Sequence, residues 1–136
     1  MWRYRHTTEE DAMTDENEIP NAVTHADDAY EAIRAINHLT IGAELPAPMV
    51  YDILGNLKGV GHLLPQALTQ LASGLGRSLD EYPVTEDDGA DPVQSVATAT
   101  DHLTRAAQLA AQLGVELDLA QAAISRQGYR EDDKAE

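Results

Sequence analysis

The chain contains no cysteine and no phenylalanine, and its aromatics are one tryptophan and five tyrosines among 136 residues. The absence of cysteine excludes a disulfide scaffold, a thiol nucleophile and any cysteine-ligated zinc or iron–sulfur site. Positive charge is scarce: nine Lys and Arg stand against 24 Asp and Glu, for a formal charge of −15 and a pI near 4.4. A grip on nucleic-acid phosphates needs clustered Lys and Arg, so no direct nucleic-acid binding is expected. Long apolar runs are missing as well. No stretch approaches the roughly 18 uninterrupted apolar residues of a spanning helix. The start, MWRYRHTTEEDAMTDENEIP, has no apolar segment after its two arginines, which argues against a secretory leader. The expectation is a cytoplasmic protein with no membrane attachment.

Alanine (21) and leucine (15) supply most of the apolar 43%. A chain of this length supports one domain with a thin core. The charge is not spread along it. Residues 1–19 carry two bases and six acids, residues 80–91 six acids and no base, and residues 128–136 two bases and four acids. The stretches 20–79 and 92–127 contribute only −2 and −1. Clusters of like charge mark solvated segments. The sequence therefore divides into a disordered acidic extension (1–20), a helical domain (21–127) and a disordered acidic tail (128–136). Met13 offers a second start, which would leave residues 1–12 without a role in the fold.

Three helices are predicted in the body, over about 21–39, 48–78 and 92–127. In the first, Ala26, Ala29, Ile33 and Ile36 share a face, and Thr24 with Asp27 resembles a capping box. The second starts at Pro48, a residue suited to the first helical position. Val50, Leu57, Leu64 and Leu71 recur every seven residues, flanked by Ile53, Leu54, Val60, Leu68 and Leu75. Pro65 lies inside this run, where it removes a backbone hydrogen bond at a cost of about 3 kcal/mol, so a kink or a break near Gly59–Pro65 is expected. Gly74 and Gly76 mark its fraying end. The third helix has Asp91 as N-cap and Pro92 at its first position, with Arg126 and Gly128 as its stop. Val96, Leu103, Ala110, Leu117 and Ile124 repeat every seven residues along it, and Gly114 is the weak link in that seam.

The acidic connector should turn the chain so that the two long helices run antiparallel, with the first helix across them. The expected fold is all-α: an elongated antiparallel helical hairpin with an additional short N-terminal helix, of helical-bundle type. Such a hairpin has more apolar surface than one short helix covers. At about 25 cal/mol per Å², a fully buried Leu contributes about 1.5–3 kcal/mol, so four or five exposed ones matter. A homodimer is the simplest closed solution. A monomeric three-helix bundle, closed by the first helix, is the alternative.

Several motifs suggest chemistry without completing it. GNLKGVGH at 55–62 lacks the spacing and the preceding strand of a phosphate-binding loop, and Gly55 and Gly59 are placed opposite the leucine stripe as packing glycines. The histidines (His6, His25, His38, His62 and His102) form no pair at helical ligand spacing. His38 and His62 are expected on outer faces, and His102 beside its seam. Asp27 and Glu31 share a helix face, yet the helix dipole already favours acids there. Serines 73, 78, 95 and 125 have no histidine base at a recognisable motif. No catalytic, cofactor-binding or metal residue is therefore assigned. The candidate residues are packing positions: Val50, Leu57, Leu64, Leu71, Val96, Leu103, Ala110, Leu117 and Ile124.

Tyr129 and Asp133, just past the third helix, form a Tyr-x-x-x-Asp element. Together with the small Ala-rich hairpin, this resembles the secreted hairpin proteins of type VII (ESX) secretion systems. The family's Trp-x-Gly turn has no counterpart, since 80–91 holds no Trp and Trp2 is the only one. The resemblance implies export dependent on Tyr129 and Asp133. The acidity suggests a third reading, an inhibitor or DNA mimic that binds a basic protein; 16 of the 24 acids, however, lie in the ends and the connector rather than along a rigid face. The leading expectation is a non-enzymatic helical assembly or adaptor protein that packs against itself or a protein partner.

Overall fold

A computed structural model describes the backbone of residues 9–128 and the side chains of residues 21–128. The described residues form three helices and no strand: α1 (Glu9–Thr40), α2 (Ala47–Glu81) and α3 (Pro92–Ala123). The fold is all-α. The chain divides into two units, Met1–Leu45, which carries α1, and Pro46–Glu136, which carries α2 and α3.

Helix α1 has 32 residues and begins at Glu9, within the stretch expected as a disordered extension, rather than near Asn21. Pro20 does not end it. Thr24 is consequently mid-helix rather than at a helix start. The helix closes where Thr40 Oγ1 donates to the Ile36 carbonyl at 2.7 Å and the Ala43 N–H donates to the Thr40 carbonyl at 3.1 Å. Gly42 follows with φ of 66°, the left-handed conformation that stops helices and that glycine adopts without steric cost.

Helix α2 runs 35 residues without a break across Pro65, so no second helix begins near Gly59–Pro65. It also passes Gly74 and Gly76 to end at Glu81. Ala47 is the first helical residue, behind an extended Pro46, and Pro48 follows within the first turn, where a missing N–H costs nothing. Helix α3 starts as expected: Asp91 Oδ1 accepts from the Val93 N–H at 3.0 Å, with Pro92 at the first position. It stops at Ala123, earlier than the expected 127, in turns closed by the Ile124 and Ser125 N–H groups. Arg126 therefore lies in the turn that follows the helix rather than in its last turn.

The connector is residues 82–91. Gly89, at φ of 76°, turns the chain, its N–H donating to the Glu86 carbonyl at 3.1 Å. Asp88 accepts from the Ala90 N–H at 3.0 Å, and Ser95 donates to the Glu86 carboxylate, tying the connector to the first turn of α3. The connector brings α2 and α3 together along their lengths, which makes a helical hairpin. Its interior is thin. Ala110 is the only buried apolar side chain among the described residues, and no side chain is fully enclosed.

Candidate functional site

The closest approach of the hairpin is at Gly61 on α2 and Gly114 on α3, both buried. A methyl group on Gly61 would lie 2.9 Å from the Gly114 Cα. Gly114, read from sequence as the weak link of the seam, is thus its tightest point: the loss of helix propensity is set against a backbone approach that no other residue allows.

Polar side chains bridge the helices around this crossing. Asp118 of α3 takes His62 Nε2 at 2.8 Å on one carboxylate oxygen and Lys58 Nζ at 3.5 Å on the other. His62 is therefore not on an outer face; its ring lies over Gly114, where an added methyl would meet Nδ1 at 2.8 Å. A turn further along, buried Gln121 donates from Nε2 to the Tyr51 carbonyl at 3.1 Å. Gly55 makes room for that amide, since a methyl there would stand 3.1 Å from it, and so Gly55 faces α3 rather than away from it. The sequence carried no signal for this cluster, because its members are about 60 positions apart and only the hairpin register brings them together.

On the same flank, towards the connector, lies a shallow groove of about 560 Å³ lined by Pro65, Thr69, Ser73, Thr100, Thr104 and Ala111, among others. Its small and hydroxylated walls hold no charged group. Among the described residues no cluster of His, Asp and Glu could hold a metal ion, and no helix is long and apolar enough to cross a membrane. His102 lies 3.1 Å from Arg105 Nη2 within α3, and His25 is 3.9 Å from Asp28 within α1. Ser95 and Ser78 are held by oxygen acceptors, Ser78 donating to the Leu75 carbonyl at 2.6 Å.

Among the packing positions, Ala110 is buried, and Val50, Leu57, Leu64, Val96, Leu103, Leu117 and Ile124 are half-buried. Leu71 differs: it is 62% exposed, as helical rotation carries it to the rim of the seam. It joins Val60 on α2 and Leu109 and Leu113 on α3 in a row of exposed apolar side chains. Tyr129 and Asp133 lie outside the described residues. Compared with known proteins, the chain matches no protein-family model, no curated protein and no solved structure.

Proposed function

We propose that the chain is a non-enzymatic assembly protein of the cytoplasm, a helical-bundle component that acts by packing its hairpin against a second copy of itself or a protein partner. The observation that carries this reading is the imbalance of the hairpin surface. Leu63, Leu71, Leu109 and Leu119 are each at least 60% exposed, while no side chain among the described residues is completely enclosed. Exposed apolar side chains that share a face, as Leu71 and Leu109 do, mostly mark a place where another protein binds. A covering surface would add stability as well as contact.

Light scattering from micromolar to millimolar concentration, combined with co-purification from the native host, tests the reading. A defined oligomer, or a partner held in fixed stoichiometry, supports it. A monomer that retains no partner and remains fully helical at the lowest concentration would falsify it.

A further inference from the structure

The exposed apolar row has internal two-fold symmetry, and the hairpin register makes that symmetry coherent. Lys58 and His62 meet Asp118 on one flank of the hairpin. Counting 100° per residue round each helix from there puts Val60 and Leu71 of α2, and Leu109 and Leu113 of α3, on the opposite flank. Val60 and Leu71 lie equally far either side of the Pro65–Gln66 step. Leu109 and Leu113 flank Ala111, and Arg105 and Glu116, at the outer edge of the same row, lie equally far either side of the Ala110–Ala111 step. The pairing of Gly55 with Gln121 and of Lys58 with Asp118 sets the register, each step up α2 being one step down α3. Carried onward, it places the Pro65–Gln66 step beside Ala110–Ala111, and Pro65 and Ala111 do line the same groove. The centres of symmetry on the two helices are therefore level to within half a residue.

We infer that this flank is a two-fold interface with a second copy of the chain, its axis crossing both helices at that level. The inference rests on the assembly reading above and names its partner and geometry. Each helix then lies antiparallel on its counterpart. Val60 meets the second copy's Leu71 position, Leu109 meets its Leu113 position, and Arg105 stands opposite its Glu116 position at both ends of the α3 contact. Glu116 is exposed and makes no ion pair among the described residues, and Arg105, also exposed, lies 3.1 Å from the His102 ring nitrogen. The charges are complementary only in this antiparallel register.

Net charge selects the same arrangement. The six acids of 80–91 repel the same segment of a second copy. A two-fold running along the helices would set both connectors side by side. The axis inferred here separates them by about 55 Å at 1.5 Å per residue, several times the Debye length of roughly 10 Å at 0.1 M salt.

The test is charge reversal at exposed positions that leave the hairpin seam intact, read by sedimentation equilibrium on the full chain with helicity as the folding control. The parent should be a dimer. R105E and E116R should each weaken it by about tenfold, because each change sets like charges opposite one another twice per dimer, and the double variant R105E/E116R should recover the parent constant. A dimer equally strong in both single variants overturns the interface and leaves the assembly reading in place, with another face responsible. A monomer that binds only a different protein overturns it too. A monomer without any partner removes the assembly reading as well.

Discussion

Gly61 and Gly59 are two residues apart in the same helix, and substitution should act on them in opposite directions. An alanine methyl at Gly61 meets the Gly114 backbone at 2.9 Å, where neither side has a flexible end to move, whereas one at Gly59 meets nothing within 4 Å. G61A should destabilise the hairpin by about 1–3 kcal/mol, the range for overpacking a tight contact. G59A should stabilise it by roughly 0.5–1 kcal/mol through helix propensity. Urea midpoints at constant m-value distinguish the two, and equal shifts would refute the crossing point. Q121A should cost about 1–2 kcal/mol, because it removes a buried amide and its bond to the Tyr51 carbonyl. These residues illustrate what sequence does and does not disclose. Gly55 and Gly59 read as packing glycines opposite the leucine stripe, but which glycine of this helix faces a neighbour depends on a partner helix more than 50 positions away.

At the scale of the element, α2 carries two contradictions to its own helical state. Pro65 deprives the Gly61 carbonyl of its usual donor, and Asp80 and Glu81 put acids at the negative end of the helix dipole. The helix passes both because the packed seam against α3 outweighs them; propensity decides only where packing is silent. P65A should accordingly raise stability by about 1–3 kcal/mol, seen as a higher unfolding temperature, and a loss of stability would mean that the proline ring itself is packed to advantage. Helix α3 is the opposite case. Its Asp91 cap and Pro92 start were legible because capping is local chemistry between residues two positions apart. Its end was misplaced, as was the start of α1, since charge-rich stretches such as residues 9–18 have helix-forming backbones whatever their solvation, and composition does not separate a solvated helix from a solvated coil.

For the whole molecule, the seam and the exposed row make separable predictions. Leu64 and Leu117 are half-buried between the helices. Leu64→Asp and Leu117→Asp should therefore lower helicity and cooperativity in any oligomeric state, because each buries a carboxylate against apolar side chains. Leu71→Asp and Leu109→Asp, at positions 62% and 64% exposed, should keep the helicity of the chain while reducing its mass in solution. Circular dichroism and light scattering on the four variants give a two-by-two outcome. Loss of helicity in the second pair would show that the exposed row is part of the hairpin's own core.

The sequence by itself determined the helical class, the position of the hairpin turn and the cap that opens α3, since all three follow from local chemistry: heptad spacing, charge density and the geometry of Asp before Pro. The division between seam and surface was settled only by the tertiary structure. A seven-residue repeat drifts by about 20° per heptad round a straight helix, so Val50, Leu57 and Leu64 stay half-buried while Leu71 rotates out. The crossing at Gly61 and Gly114, the Lys58–His62–Asp118 bridge and the level alignment of the two exposed rows are all consequences of one quantity, the register of α2 against α3. That register depends on how two backbones approach each other, which no single helix encodes.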